Sequence, residues 1–461
     1  MKRSGVVVEL KNNKDIKPNA KALLPFLIFI GLFLLTGIIL LNKGADNPFY
    51  QFPMPIAVSI GVIIAFVMFE GSINEKMNTL LAGMGEKNIL TMCTIYLLAG
   101  AFSSVSEAMG GVDSVVNLGM SLIPIQYLAV GLFLITAFIS ISTGTSMGTM
   151  AAVVPIAIGI AERANISMAF VMAIVIGGAM FGDNLSIISD TTIAATATQN
   201  VKMKDKFRVN LYIAVPAAIA TIVLLFIFSG SPEALPGETY EYNLIKIIPY
   251  LFVLIFAVGG MNVFAVLTSG IFLSGAIGLF TGDLTLLSIT KEAYAGFTSM
   301  QEVFLVSLIT GGLAYMTLKE GGIKYIVNAI EKRVGGKNSG ELGISILVAL
   351  TDAAIANNTV SIIINGPIAK RISKKFKIDP RRVASLLDIF ACVMQGALPY
   401  GAQILMVMGL TEGAVGPLDV IPLLWYQMFL ALFGILSIYI PFADSYIKKH
   451  PWDFEKDEVA V

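Results

Sequence analysis

The chain has 461 residues, of which 56% are hydrophobic and 13% are charged. That charged fraction is about half of what soluble globular domains carry, which excludes a soluble protein with a fully solvated surface. The 31 basic and 31 acidic residues balance, so net charge gives no indication of a nucleic-acid partner and none is expected.

Apolar runs of about 20 residues recur along the chain, each long enough to cross the hydrocarbon core of a bilayer. We therefore expect an all-α, polytopic integral membrane protein with about 12–14 transmembrane helices, some of them broken or re-entrant. The first run has no small-residue cleavage site after it, which indicates a retained helix rather than a signal peptide. The clearest runs are 22–41, 53–69, 89–102, 127–141, 209–228, 245–258, 263–280, 303–318 and 421–440.

Cysteine and histidine usage narrows the chemistry. Cys93 and Cys392 each lie in an apolar run, which favours two buried thiols over a disulfide. The single histidine, His450, lies in the polar C-terminal tail, so proton handling inside the membrane depends on carboxylates. The sequence also lacks a phosphate-binding loop, a Cys/His metal cluster, a nucleophile–histidine pair and a potassium-channel filter. We expect neither an enzyme nor a resident cofactor.

The second half of the chain restates the first at a nearly constant offset in numbering, between 211 and 213, which predicts an internal repeat. The matched pairs include Gly110 with Gly321, Pro155 with Pro367 and, after a slip in register, Gly178 with Gly396. The predicted divisions are a cytoplasmic tail at 1–21, a first transmembrane repeat at 22–230, an external linker at 231–243, a second repeat at 244–443 and a cytoplasmic tail at 444–461.

The basic residues indicate that the two repeats are inverted in the membrane. The basic N-terminal tail and the cluster at 202–208 are assigned to the cytoplasm by the positive-inside rule. The loop at 161–167 holds one basic residue, whereas the matching loop at 370–382 holds seven, so the two loops face opposite sides. We expect a multi-pass protein of the inner (plasma) membrane with both termini cytoplasmic, in contact with the lipid bilayer. The sequence does not decide whether it forms a homodimer. Inverted repeats are the common plan of secondary transporters.

Two polar segments, 142–149 and 351–359, interrupt the matched helices just before the shared proline. An offset of 212 aligns Thr145 with Asn357 and Ser146 with Asn358. Gly, Ser, Thr and Asn favour unwinding because their side chains compete for backbone hydrogen bonds. Half-helix ends expose carbonyls that can bind small cations, so these four residues are candidate ligands. Tight helix packing by small residues is the alternative.

The stretch 177–200 follows an apolar helix without a break, yet it holds Asp183 and Asp190. A carboxylate at membrane depth costs about 2.5–3.5 kcal/mol and is normally tolerated only where it faces a wetted, protein-lined cavity. Sodium is a hard cation that prefers oxygen ligands, so we predict that both carboxylates bind sodium. A helix-capping role is the alternative for Asp183. Neutral oxygen ligands would come from Asn184, Ser186, Ser189, Thr191 and Thr192.

Two further carboxylates are candidates. Asp388 stands alone in the apolar run 383–395, and Asp352 lies in the second polar segment. An unpaired carboxylate there is costly and should face a polar interior; Asp388 could be a site acid or the structural partner of a lysine. A carboxylate that binds a cation can instead bind a proton, because burial disfavours its charged form. Competition at one site is then enough for exchange.

The segment GGAMFGDNLSIISDTT at 177–192 resembles the G-x-x-FGD-x-x-SP-x-SDTT motif of NhaC-type sodium/proton antiporters. The resemblance extends over about 53–440. It departs at Ile187, where many members have proline, and at Asn184, where many have lysine, which changes the local charge by one unit. The resemblance implies exchange of external protons for internal sodium by alternating access, with Asp183 and Asp190 carrying ion binding.

A sodium- or proton-coupled transporter of an organic acid or amino acid is the second function considered, since some family members are thought to couple exchange to such solutes. An arginine facing the site or a larger cavity would favour it. The sequence shows no basic residue in the middle of a predicted helix, which favours a small inorganic cation, although half-helix N-termini can also hold a carboxylate. The repeat disfavours a passive channel.

Overall fold

The computed structural model describes residues 16–43, 51–122, 124–187, 189–228 and 241–454. These residues form α-helices and short 3₁₀ turns with no strand among them, which confirms the predicted all-α class. Most of the predicted N-terminal tail and linker, and the end of the C-terminal tail, lie outside the described residues. The assignment of those segments therefore stays a prediction.

The helices are named here in chain order. The first half contains α1 (Leu24–Asn42), α2 (Met54–Met68), α3 (Ile73–Met84), α4 (Lys87–Ala108), α5 (Gly111–Leu122), α6 (Leu128–Thr143), α7 (Ser146–Arg163), α8 (Met168–Leu185), α9 (Asp190–Gln199) and α10 (Met203–Phe228). The second half contains α11 (Leu244–Val258), α12 (Val263–Thr281), α13 (Leu286–Ser299), α14 (Gln301–Lys319), α15 (Gly322–Glu331), α16 (Lys337–Ile355), α17 (Asn358–Phe376), α18 (Pro380–Ala397), α19 (Ala402–Leu410), α20 (Pro417–Val420), α21 (Trp425–Tyr439) and α22 (Ser445–Lys449).

Seven of the described helical segments are long and apolar enough to cross a membrane, or eight if the bent pair Pro417–Leu423 and Trp425–Tyr439 forms one span. This is fewer than the predicted 12–14. Three apolar helices, α2, α6 and α11, fall short of full length, and α17 carries a basic second half. The result is a multi-pass helical membrane protein in which several described helices are shorter or more charged than a full apolar span.

The two halves repeat each other helix by helix, so that α1 to α9 correspond in order to α11 to α19. Adding 212 to the first and last residue numbers of α8 gives those of α18, and the same offset relates the first residues of α9 and α19. The structure therefore has no slip in register between Gly178 and Gly396, because that offset places Phe390 opposite Gly178. How the copies are oriented relative to a bilayer stays a prediction.

Left-handed backbone residues recur with nearly the same offset. Positive φ angles are found in pairs whose numbers differ by 211 or 212, at Gly71 and Gly282, Gly110 and Gly321, Gly144 and Ala356, Asn165 and Lys377, and Asn200 and Glu412. A positive φ is uncommon outside glycine. Two halves that share five such positions share their turns as well as their helix lengths.

Glycines bring the two copies together in a reciprocal way. Gly83 of α3 lies against the backbone of Gly311 and Gly312 of α14, and Gly296 of α13 lies against the backbone of Gly100 of α4. Because α13 and α14 are the counterparts of α3 and α4, the two contacts are the same contact made twice. Small residues allow this close approach of helix backbones. We call this contact the glycine seam.

Each copy contains a helical hairpin. Leu128 at the start of α6 and Ala164 just after α7 belong to one buried cluster, so the two helices run back on each other. In the second copy, Gly340 near the start of α16 packs on Ile372 near the end of α17. The connections are two residues long, 144–145 and 356–357, and are called the first tip and the second tip.

A broken span follows each hairpin. Met168–Gln199 and Pro380–Leu410 each pass as one candidate membrane span, although α8 ends before α9 begins and α18 ends before α19 begins. The interruptions at 186–189 and 398–401 are called the first break and the second break; residue 188 is not described. The predicted disruption of 142–149 and 351–359 is thus a hairpin turn in each case, and the breaks lie in the next helix.

Buried ion pairs account for part of the basic loop at 370–382. Arg381 contacts Asp379 at 2.5 Å and Arg382 contacts Glu341 at 3.2 Å, and all four side chains are buried. Two of the seven basic residues interpreted from the sequence as orientation signals therefore also form buried ion pairs: Arg381 within the start of α18, and Arg382 between the starts of α18 and α16.

Candidate functional site

Thr145 and Asn357 cap the helices that follow the two tips. The Thr145 hydroxyl accepts a hydrogen bond from Gly148 N at 3.4 Å, and Asn357 Oδ1 accepts one from Val360 N at 3.0 Å. Both residues satisfy backbone donors that a helix N-terminus otherwise leaves unpaired. The predicted alignment of these two residues is therefore visible as equivalent caps; their predicted role as ligands stays a prediction.

A hydroxyl from each break binds the hairpin of the same copy. Ser186 Oγ donates to Ile141 O at 2.9 Å, and Tyr400 Oη donates to Ala353 O at 2.6 Å. Ile141 and Ala353 are equivalent at the offset of 212, and each lies two residues before the end of its helix, α6 or α16. The two hydrogen bonds, called the hydroxyl clamps, satisfy carbonyls that have no partner within their own helix.

Asp183 lies where the first tip meets the first break. Its side chain is buried at 3% exposure and accepts hydrogen bonds from Ser146 Oγ at 2.9 Å and Ser189 Oγ at 2.5 Å. Ser189 Oγ is also 2.8 Å from Thr191 Oγ1. Among the described residues no Lys, Arg or His forms an ion pair with Asp183. The carboxylate is surrounded by neutral hydroxyl oxygens.

Asp190 contacts the helix that follows the second tip rather than the first tip. It is exposed, and its carboxylate accepts hydrogen bonds from Thr359 Oγ1 at 2.7 Å and from Thr191 N at 3.0 Å. Thr359 follows Asn358, whose Oδ1 accepts from Thr359 N at 2.9 Å. The two aspartates of one motif therefore contact different hairpins. Thr359 was not singled out from the sequence, although it closes the polar segment 351–359.

Lys206 and Asp388 form an ion pair in the interior. The Lys206 ammonium also donates to Asn184 O at 2.7 Å and to Thr192 Oγ1 at 2.9 Å, so all three of its donors are used. Lys206 lies in the first turn of α10 and is fully buried, so it has a structural contact beyond the orientation signal predicted for 202–208; the cytoplasmic side of that cluster stays a prediction. Asp388 is thus paired with a lysine, one of the two roles left open for it; its role as a site acid stays a prediction.

Asn184 belongs to the same cluster as the ion pair. Asn184 Nδ2 donates to Asp388 Oδ2 at 3.2 Å, and Asn210 Nδ2 donates to Asn184 O and Oδ1 at 2.9 and 3.0 Å. Ser385 Oγ donates to Asn210 Oδ1 at 2.5 Å. The predicted ligand set thus divides in two: hydroxyls around Asp183, and amides with one ammonium around Asp388. Lys206 and Asn210 lie outside the motif at 177–192, so nothing in the sequence indicated that they belong to the site.

A chain of amides leads from Asp183 into the second copy. Gln403 Nε2 donates to Ser146 Oγ at 3.1 Å, and the amides of Gln395 and Gln403 are 3.2 Å apart. With the Gln395 amide turned so that both its atoms have partners, its nitrogen lies 3.1 Å from Asp352 Oδ1. Asp352 is fully buried, and its Oδ2 has no hydrogen-bond partner among the described residues.

Hairpin tips that meet broken spans, with carboxylates buried at the junction, define the architecture of a secondary transporter. The model of the Na+/H+ antiporter family matches residues 19–230 and 238–442. The chain therefore belongs to the Na+/H+ antiporter family, and the NhaC-type resemblance is confirmed.

Relatives in this family differ in what their names say they exchange. The chain is 23% identical over 442 residues to a malate-2H+/Na+-lactate antiporter of Bacillus subtilis (strain 168), covering 88% of this chain and 93% of that protein. It is 24% identical over 390 residues to the Na+/H+ antiporter NhaC of the same organism, covering 78% and 84%. The YdaH transporter of Alcanivorax borkumensis aligns in structure with a TM-score of 0.40 at 14% identity, covering 84% and 91%.

Proposed function

We propose that the protein exports sodium in exchange for protons and that Asp183 is the carboxylate at which the two compete. The observation that carries this proposal is the setting of Asp183: buried, held by Ser146 and Ser189, and without a basic partner among the described residues. Asp388, by contrast, is already neutralised by Lys206. A buried carboxylate needs a cation or a proton to offset its charge, and at Asp183 that partner is the transported ion.

The hydroxyls around Asp183 suit both states of the exchange. Ser146 and Ser189 now donate to the carboxylate. When sodium is bound, the same hydroxyl oxygens can turn their lone pairs to the ion, because a hydroxyl both donates and accepts. Oxygen ligands fit a hard cation. Binding of a proton to Asp183 removes the charge that holds sodium, so one ion displaces the other.

Transport additionally requires that the site face one side of the membrane at a time. We propose alternating access in which the hairpins and broken spans move relative to the glycine seam, with both termini on the cytoplasmic side of the inner membrane. External protons then enter as internal sodium leaves. If the exchange carries net charge, the membrane potential contributes ~2.3 kcal/mol per charge per 100 mV.

Coupling to an organic solute is the second candidate function, and one observation favours it. A crevice of about 640 Å³ lies beside α19, and charged side chains Lys291, Glu302 and Glu412 line it together with the apolar Leu405 and Met408. This volume is far larger than sodium needs and falls in the range of small-molecule pockets, about 300–1,000 Å³. The name of one relative includes two small organic acids, malate and lactate.

The test is collapse of an imposed pH gradient in proteoliposomes on addition of sodium, lithium or potassium. We expect sodium-dependent collapse with the wild type and none with Asp183→Asn. The matched control is Asp283→Asn, because Asp283 lies in a turn after α12 and pairs with Lys246 at 2.7 Å, away from the site. If folded wild-type protein collapses the pH gradient with none of these cations, sodium/proton antiport is contradicted. Malate and lactate gradients would then be tested in the same vesicles.

A further inference from the structure

The two copies carry their buried carboxylates on opposite partners of the same junction. In the first copy, α8 provides Asp183 and α6 provides Ser140, which lies against Gly182. At the offset of 212, their counterparts are Gln395 on α18 and Asp352 on α16. Each copy therefore has one acid and one neutral polar residue where its hairpin meets its broken span. The acid lies on the broken span in the first copy and on the hairpin in the second.

The surroundings of Asp352 leave a charge on it uncompensated. The side chain is fully buried, its Oδ2 has no hydrogen-bond partner among the described residues, and its Oδ1 faces the Gln395 amide. Sodium would need several oxygen ligands, whereas Oδ2 has no hydrogen-bonding contact with any described residue. A proton needs only the carboxylate itself.

The neighbouring charged and titratable groups do not change this balance. The Tyr400 hydroxyl is engaged with Ala353 O, and Asp388, two turns before Gln395 on α18, is paired with Lys206. Beside the second tip, Glu86 accepts hydrogen bonds from Asn88 N and Ile89 N. Further titratable side chains described on that side include Tyr315, which lines a small cavity with Glu86, Ile355 and Asn357. Lys319 lies over the Tyr315 ring, and Cys392 donates to Asp388.

We propose that Asp352 is a second proton-binding site, occupied by a proton in this conformation, at the junction of the second copy that corresponds to the junction holding Asp183 in the first. In each cycle the O–H bond of the Asp352 acid breaks, its proton passes to water when the second tip opens, and the carboxylate left behind takes up a proton on the other side. The side chains of Gln395, Gln403 and Ser146 lie one after another between Asp352 and Asp183. The transport part of this inference rests on the proposed antiport; the protonation of Asp352 does not.

Infrared spectroscopy of the reconstituted protein at neutral pH tests the protonation directly. We expect a carbonyl-stretch band of a protonated carboxylic acid that shifts in D₂O and is lost in Asp352→Asn, whose amide keeps the shape of the neutral acid. Asp283→Asn is the control, because hydrogen bonding to Lys246 lowers the pKa of Asp283 and keeps it ionised. An unchanged acid band in the Asp352 variant, or no such band in the wild type, overturns the proposal. If Asp352→Asn does not fold, Asp352→Ser, which copies Ser140 of the first repeat, takes its place.

The reversal potential of exchange in proteoliposomes tests the transport role. We expect the ratio of protons to sodium ions in Asp352→Asn to be lower by one than in the wild type. An equal ratio in the two proteins overturns the transport role even if the infrared band is lost. Absence of sodium-dependent exchange in the wild type itself counts against the antiport proposal and leaves the infrared result to decide whether Asp352 holds a proton.

Discussion

The Lys206 ammonium and the Asp388 carboxylate pair with each other in the interior, one from the first turn of α10 and the other from the middle of α18. The same ammonium reaches the carbonyl of Asn184, near the end of α8, and the hydroxyl of Thr192, in the first turn of α9. A positive charge near the C-terminus of a helix offsets the exposed carbonyls there. Lys206 thus holds together both sides of the first break.

Removing one partner of this pair should destabilise the protein strongly. In Lys206→Met the Asp388 carboxylate stays buried without its counter-charge, and we expect a loss of about 3–5 kcal/mol in the free energy of unfolding. The measurement is denaturant unfolding of the purified protein in detergent. The double variant Lys206→Met/Asp388→Leu should recover much of the loss, because no isolated charge remains. A double variant less stable than the single one would show that the pair is not the cause.

The two serines that contact Asp183 should affect sodium binding more than turnover. Ser146→Ala and Ser189→Ala each remove one oxygen and one hydrogen bond to a charged group, which is worth about 1.5–3 kcal/mol. We expect the apparent KM for sodium to rise roughly tenfold or more in each variant. Ser142→Ala is the matched control, since the Ser142 hydroxyl bonds within its own helix, at Phe138 O. Equal effects in all three variants would argue against Ser146 and Ser189 as ligands.

The glycine seam should tolerate no added methyl group. In Gly296→Ala the new Cβ would overlap the backbone of Gly100 and Ala101, and we expect a loss of about 1–3 kcal/mol in unfolding free energy from overpacking. Gly131→Ala is the control, because nothing lies within 4 Å of its new Cβ. Thermal unfolding of the two variants in detergent compares them. If Gly296→Ala is as stable as Gly131→Ala, the two copies are not closely packed there.

Water should reach the crevice beside α19. A cysteine at Thr298, which is exposed and lines the crevice, should react with a membrane-impermeant maleimide. A cysteine at Phe272, 74% exposed on the apolar α12, should face lipid and react slowly. The native thiols Cys93 and Cys392 are buried and give little background. Equal labelling rates at the two positions would contradict the prediction that the crevice is filled with water.

The sequence alone predicted the parts of the fold that depend on local patterns. The apolar runs, the offset of 212 and the alignment of Thr145 with Asn357 are all found in the structure. They could be predicted because helix periodicity and capping depend on residues only a few positions apart. The hairpins could not be predicted in the same way. A two-residue turn with Gly144 or Ala356 in the left-handed region has the same composition as an unwound helix, and only the packing of the helix ends separates the two.

The sequence brought together the candidate residues that are contiguous in the chain and missed those that converge from distant helices. Asp183 and its hydroxyls come largely from one motif. Lys206, by contrast, lies among surface lysines in sequence, and only the fold carries its side chain inward to Asp388. Thr359 and Gln403 were not assigned a role from the sequence, because each contacts the first copy from the second, Thr359 at Asp190 and Gln403 at Ser146.

The hydroxyl clamps have a mechanical consequence. Ser186 fastens the first break to the end of α6, and Tyr400 fastens the second break to the end of α16. Each hydrogen bond thereby couples a hairpin to the broken span that follows it, at a point close to the tip. A displacement that begins at a tip therefore either carries the adjoining span with it or breaks the hydrogen bond of the clamp.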